Sequence, residues 1–298
     1  MPRASIDLGS NSVLLLVLAD DGAVLHDEAR VIGLGRGLGD RGLFRPDRMD
    51  AAVEALREYA ASATALGVAP ELVKAVATSA SRRALNATTF FDRVKKDTGI
   101  QFRVISGEEE ALLTWLGARQ GLDLPNGPVG LVDLGGGSTE IVLGERDVVQ
   151  FRCSMEIGTV RLTDQYLDGG RGRVDPRALA RLREHVDEVV GGVTWPLTPR
   201  VLIAVAGTAT TLAAMELGLE TYDGARVHGS RLTRAALRRW IDRLLDADPE
   251  QRRALAAVSP ERADTLLAGA CVLEAVLSHA RRETLIISDR GLRHGVAG

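Results

Sequence analysis

Two short segments carry the residue types of an anion clamp. Asp7-Leu8-Gly9-Ser10-Asn11-Ser12 recurs as Asp133-Leu134-Gly135-Gly136-Gly137-Ser138. Each follows an apolar entry, Ala4-Ser5-Ile6 or Val129-Gly130-Leu131-Val132, and each leads into an apolar run, Val13 to Val17 or Ile141-Val142-Leu143. The pattern is strand, acidic glycine turn, strand, written twice. Lacking Cβ atoms, the glycines let backbone N–H groups approach an anion closely. The carboxylates of Asp7 and Asp133 can hold Mg2+ or orient a water beside it, and Ser10, Asn11, Ser138 and Thr139 add hydroxyl and amide donors. The competing reading is a pair of hairpin turns in which Asp and Gly only satisfy backbone geometry. A repeat with matching flanks favours phosphate binding.

Other segments offer further polar groups. Val205-Ala206-Gly207-Thr208 follows the apolar run from Val201 and is expected to open a helix over 211–217. Amides of Gly207 and Thr208 would then face an anion at a helix start; a routine turn with a Thr cap competes. Ser106 and Glu109 form a capping box, with acidic residues suited to a first turn. Glu110 lies about 100° around the helix from Glu109. The cap does not explain it, so a general base acting on water and an ordinary surface acid both stay open. Arg82 and Arg83 follow a strand, and arginine suits bidentate phosphate contact, although paired arginines commonly face solvent. Gly37 to Gly42 matches GxGxxG formally, without the strand–helix context of a dinucleotide site. Gly135 to Thr139 lacks the order of a serine nucleophile elbow. His228, beside Gly229, reads as a turn or capping residue.

These groups need elements to position them. Strand patterns occur at Ile6, 13–18, 73–77 and 102–105, with helical spacing over 47–66 and 90–98. The stretch Leu122 to Pro128 has the turn residues of a linker, so the expected domains are 1–122 and 128–298, with a return of the last residues toward the first domain left open. The second half restarts with strands at 129–134, 140–143, 148–152, 201–205 and 285–288, and helices over 176–190, 234–245 and 261–279. Alternation of strands and helices argues for α/β layers in both halves. A chain of 298 residues accommodates about two domains. The net charge of −3 predicts no general affinity for nucleic acid. Cys153 and Cys271 have no metal-ligand or disulfide spacing and read as two reduced thiols. No apolar run approaches the ~20 residues of a membrane span, so a cytoplasmic location is expected.

Taken together, the chain resembles the exopolyphosphatase and guanosine pentaphosphate phosphohydrolase (Ppx/GppA) family. The resemblance rests on Ile6 to Ser12, Thr78 to Asn86, Ile105-Ser106-Gly107 with Glu109-Glu110-Ala111, and Asp133 to Glu140. It continues through Gly207-Thr208, His228-Gly229, Arg262-Ala263-Asp264 and Asp289 to Arg293. It implies two ribonuclease H-like α/β domains of the actin, Hsp70 and sugar kinase superfamily, with an active-site cleft between domains. The implied reaction is release of terminal orthophosphate from inorganic polyphosphate or the 5′ end of guanosine pentaphosphate, with Mg2+ or Mn2+. On this resemblance Glu110 is the general base and Asp133 and Glu140 are further catalytic residues. Asp133 and Asp7 would hold metal, and Gly9, Ser10, Asn11, Arg82, Gly135, Gly136, Gly137, Ser138, Gly207 and Thr208 would bind phosphate. No nucleic acid or membrane partner is implied, and a homodimer is. Two rival readings remain: a phosphotransferase of the same superfamily, and a nucleotide- or alarmone-sensing clamp without turnover. Leu112 and His294 stand where many relatives carry Arg and Glu. The sequence stops at Gly298, short of the C-terminal helical domains of larger relatives, so a preference for shorter polyphosphate is expected.

Overall fold

The computed structural model describes residues 1–38, 42–170, 172–255 and 260–298. Gly39, Asp40 and Arg41 of the glycine-dense run, and Arg171, lie outside them. The chain divides into two compact units, Met1–Gly117 with Leu292–Gly298, and Ala118–Gly291.

In chain order the first unit holds β1 (Arg3–Leu8), β2 (Ser12–Leu18), β3 (Val24–Val31), α1 (Pro46–Ala65), β4 (Lys74–Ala77), α2 (Ser79–Arg83), α3 (Ala87–Thr98), β5 (Phe102–Val104) and α4 (Gly107–Ala118). Its sheet runs β3-β2-β1-β4-β5. The first three strands are antiparallel neighbours, and β1, β4 and β5 run parallel. Side chains alternate faces along a strand, and the neighbours Leu15 and Leu16 divide accordingly. Leu15 joins Ile6, Leu8, Val13, Val53, Leu56, Tyr59 and Phe90 in the main core beneath α1 and α3. Leu16, with Leu18, packs against Ala297 of the C-terminal segment. Pro46 begins α1 where a missing N–H costs nothing, and Gly99 ends α3 in the left-handed region at φ 76°.

The second unit holds β6 (Val129–Leu134), β7 (Thr139–Glu145), β8 (Val148–Met155), α5 (Thr159–Tyr166), α6 (Pro176–Gly191), β9 (Val201–Val205), α7 (Ala206–Glu216), α8 (Gly224–Val227), β10 (Arg231–Thr233), α9 (Arg234–Asp246), α10 (Pro249–Arg253), α11 (Pro260–Ala263), α12 (Leu266–His279) and β11 (Thr284–Ile287). Its sheet runs β10-β11-β9-β6-β7-β8. Read from β8, the order β8-β7-β6-β9-β11 repeats β3-β2-β1-β4-β5, with β10 added at the far edge. The helix expected over 261–279 is broken at Asp264–Thr265, and its longer part, α12, is buried from Leu266 to Leu277. Glu274 on α12 is buried among apolar neighbours, yet is bridged by Arg183 at 3.1 Å and Arg238 at 2.9 Å. Arg239 pairs with Glu216 and Arg253 with Asp264. Arg252 is buried and donates to the carbonyls of Gly170 and Gly172.

The division falls at Gly117/Ala118, ahead of the Pro/Gly stretch at 122–128. Ala118 to Gln120 are tied to the second unit, with Ser288 Oγ donating to the Ala118 carbonyl at 2.8 Å and His228 Nε2 lying 3.0 Å from the Gln120 carbonyl. At the other end, α13 (Leu292–Ala297) belongs to the first unit. Its Leu292 and Val296 pack on Val76, Ile105 and Leu113. Ser5 Oγ donates to the Arg293 carbonyl at 2.7 Å, and the buried Arg293 guanidinium grips Asp27 through Nε and Nη2 at 2.8 and 2.9 Å. A Cβ on Gly295 would lie 1.9 Å from the Leu113 carbonyl oxygen, so α13 touches the backbone of α4. Arg293→Ala, which strands Asp27 beside the sheet, is expected to lower stability by about 2 kcal/mol or more, measured by chemical denaturation. No helix of the described residues is long and apolar enough to cross a membrane.

Candidate active site

Both acidic turns close with the same bond. Gly9 N–H donates to the Ser12 carbonyl at 2.9 Å, and Gly135 N–H to the Ser138 carbonyl at 3.0 Å. Gly9 and Gly135 therefore shape their turns and do not offer their own amides to a ligand, which corrects part of the expected donor set. The remaining donors are aimed by what holds the carbonyls. In the second unit, the Gly135 carbonyl accepts from Thr159 N–H and the Gly136 carbonyl from Val160 and Arg161 N–H, at 2.9–3.1 Å, while Arg161 Nε reaches the Gly137 carbonyl at 3.0 Å. In a trans peptide the N–H points opposite to its carbonyl. The start of α5 thus turns the amides of Gly136, Gly137 and Ser138 to the other side of the loop. In the first unit the glycine-dense run does the same work. Gly35 N–H binds the Ser10 carbonyl at 2.7 Å, and Ile32 and Gly33 N–H bind the Asn11 carbonyl at 2.8 Å.

Register separates the two copies. Asp133 stands directly opposite Glu140 across β6 and β7, whereas Asp7 stands opposite Leu14 across β1 and β2. Opposed residues share a sheet face with Cβ atoms about 5 Å apart, so the second copy places two carboxylates together where the first places one. Glu140 is fixed by the Ser138 and Ser154 hydroxyls at 2.6 and 2.8 Å. The Ser138 hydroxyl is thereby committed, and so is that of buried Thr139, which donates to the Ile157 carbonyl. Thr139 acts as a strut for the loop rather than as a ligand donor.

Each turn sits at the carboxyl end of a strand that has a parallel neighbour, and that neighbour feeds a second turn. Asp7 registers with Val76 and Asp133 with Val205. In the first unit the second turn supplies Thr78 and Arg82. In the second unit it supplies Gly207 and Thr208, and α7 begins at Ala206 rather than near Thr211. The early start places the Gly207 and Thr208 amides within the first turn of an eleven-residue helix. The Arg262 guanidinium rests against Gly207, where a Cβ would lie 1.4 Å from Nη1. Any side chain at 207 would displace that guanidinium.

Glu110 projects from the first turn of α4. Its Oε2 accepts from Arg82 Nη1 at 2.8 Å, and the same nitrogen donates to the Ile105 carbonyl at 2.9 Å. Thr78 adds a hydrogen bond. Burial raises the Glu110 carboxyl above the usual carboxylate range, with the Arg82 and Thr78 contacts pulling the other way. Glu109 is separate. Ser106 Oγ accepts from its N–H at 3.1 Å, as a cap requires, but its carboxylate pairs with Arg103 at 2.5 Å instead of reaching back to Ser106. Asp7 is pushed up to about 7, first by burial and then by the Glu110 carboxylate, against the pull of Arg293.

The first unit also holds two oxygens of the kind a hard cation takes. Asp7 Oδ1 and Asn11 Oδ1 are buried and accept no hydrogen bond among the described residues. Two such oxygens beside a second carboxylate suit a hard cation. No three His, Cys, Asp or Glu side chains gather into a metal-binding group among the described residues, and Mg2+ commonly takes one or two carboxylates with waters and phosphate. The residues present fit that ion.

Thr78, Ser154, Gly158 and the 32–35 segment were not singled out as site residues from sequence. Only Gly158 carried a readable signal, a glycine directly before a helix. His228 caps α8 and bridges Gln120 and Ser288, as a turn residue would. Cys153 and Cys271 are free thiols.

A profile of the Ppx/GppA phosphatase family matches residues 17–297. Exopolyphosphatase 2 of Mycobacterium tuberculosis is 37% identical over 99% of this chain and 97% of its own length. Exopolyphosphatase 1 of Mycobacterium bovis is 31% identical over 98% and 86%. Among solved structures, the Ppx/GppA family member of Aquifex aeolicus superposes with a TM-score of 0.83 at 35% identity, covering 99% of this chain and 96% of that one. An exopolyphosphatase from Cytophaga hutchinsonii superposes with a TM-score of 0.87 at 27% identity, covering 99% and 96%. With its two sheets of repeated order, each ending in an acidic glycine turn, the chain belongs to the Ppx/GppA phosphatase family.

Proposed function

We propose that this phosphatase removes terminal orthophosphate from inorganic polyphosphate, and from the 5′ end of guanosine pentaphosphate, by attack of a water whose proton goes to Glu110. The observation that carries the reading is the Glu110 carboxylate: desolvated, raised above its ordinary range, and oriented by Arg82 and Thr78. Phosphoryl transfer needs chiefly positioning and charge neutralisation. Amides of Asn11, Gly136, Gly137, Ser138, Gly207 and Thr208, with Ser10 beside them, would hold phosphoryl oxygens. Arg82 and Arg262 supply positive charge. Glu140, fixed by two serine hydroxyls, supports Asp133. Asp7 in the first unit and Asp133 in the second are the carboxylates that would hold a divalent cation, Mg2+ or Mn2+, which supplies shielding of the phosphoryl oxygens when bound. The names of the relatives support polyphosphate as substrate, and the family resemblance extends the reading to a cytoplasmic homodimer.

The test is orthophosphate release, measured in parallel on a ladder of polyphosphates and on guanosine pentaphosphate, with Mg2+ or with chelator and without any acceptor molecule. Release from polyphosphate that chelation abolishes is expected. No release until a small-molecule acceptor is added would identify a phosphotransferase, and nucleotide binding with no release at all a sensing clamp; either overturns the proposal.

A further inference from the structure

We infer that Arg82 is contested between Glu110 and the substrate, so that arrival of a phosphate oxyanion loosens the hold on the base it will use. This deepens the proposed function and rests on it. Arg82 Nη1 spends its two protons on Glu110 Oε2 at 2.8 Å and the Ile105 carbonyl at 2.9 Å. Ile105 is itself tied to the sheet, its N–H donating to the Ala77 carbonyl at 3.0 Å. The arm is therefore anchored while its charge is engaged by a carboxylate. A carboxylate that accepts from a guanidinium is a weakened proton acceptor, because the ion pair favours its charged form. An anion that draws on the same guanidinium reverses this effect. Both of these Arg82 bonds run through Nη1, and the Arg82 side chain is 31% exposed, so an anion can draw on the guanidinium through Nη2 while the Ile105 contact stays in place. The groups that face Glu110 are Arg82 and Thr78, with the Asp7 carboxylate near enough to be raised by it. Among them only Arg82 carries positive charge. Binding coupling is reciprocal: if phosphate weakens the Arg82–Glu110 pair, the pair weakens phosphate binding.

The measurement is a double-mutant cycle on orthophosphate affinity, by calorimetry on the full chain at one fixed Mg2+ concentration. Glu110→Gln is expected to bind orthophosphate at least about fivefold tighter than wild type. In an Arg82→Gln background, the same change at Glu110 should alter affinity by less than about twofold. Thermal melts check folding, and Arg82→Met, which also removes the charge and keeps much of the side chain's length, replaces Arg82→Gln if that variant does not fold. Unchanged affinity in Glu110→Gln overturns the inference. So does equal tightening in both backgrounds, which would mean simple charge repulsion. A wild-type chain that hydrolyses polyphosphate but gives an additive cycle sinks this inference alone. One that neither binds orthophosphate nor hydrolyses polyphosphate sinks it together with the proposed function.

Discussion

Glu110→Gln should fold like the wild type and lose about 10²-fold or more in turnover. The amide has the shape of the carboxylate, and its oxygen can still accept from Arg82 and Thr78. Because burial opposes the charged form at this position, removing the charge carries little structural cost, and the melting temperature should stay near that of wild type. What disappears is the capacity to take a proton. Arg103, Ser106 and Glu109 are untouched, so the start of α4 keeps its cap. The wild-type rate should also fall on acidification at a pH above the usual carboxylate range, since burial pushes Glu110 upward. Steady-state orthophosphate release from polyphosphate gives the number. A turnover within a few-fold of wild type in a well-folded variant would remove Glu110 from the chemistry.

The two acidic turns were legible because everything that makes them is local: a carboxylate, glycines that free the backbone, and apolar runs that become paired strands. Even the inequality of the copies lies in the sequence, since Leu14 and Glu140 occupy equivalent places. Its meaning emerges only when the register sets Glu140 opposite Asp133. β3 was harder to read. Its stretch His26-Asp27-Glu28-Ala29-Arg30 is polar because β3 is the edge of its sheet, and charge at an edge deters further strand pairing. The start of α7 was misplaced because Gly207, Thr208 and Thr210 are weak helix formers and Ala206 enters with φ 69°, so the stretch reads as loop. The overlooked parts share one property: their partners are distant in sequence. Nothing in Ile32-Gly33-Leu34-Gly35 says that its amides will hold the Ser10 and Asn11 carbonyls, and nothing beside Arg82 names Glu110 as its partner.

The largest expected effect outside the carboxylates is at Gly158. Its backbone, φ −99° and ψ 161°, is open to any residue, so conformational freedom is not what glycine provides. Space is. A Cβ at this position would lie 2.4 Å from the Gly136 carbonyl group and from Gly137 C, all of them main-chain atoms that cannot rotate aside. Gly158→Ala must push the 135–137 loop off the start of α5, lengthening the bonds from Thr159, Val160 and Arg161 that aim the loop amides. A shift of about 1 Å in a positioning group can cost about 10²-fold in rate, and overpacking of this kind costs about 1–3 kcal/mol in stability. The expected result is a folded protein with a lowered melting temperature and kcat/KM reduced about 100-fold on polyphosphate. Gly172→Ala serves as the control, because a Cβ there meets nothing within 4 Å, and it should leave both quantities unchanged. If Gly158→Ala melts early yet keeps its rate, the loop only supports the fold. If it loses rate with a far smaller change in melting than a loosened core would give, the direction of the Gly136, Gly137 and Ser138 amides is itself what the phosphoryl group depends on, and Gly158 sets that direction from the far side of the loop.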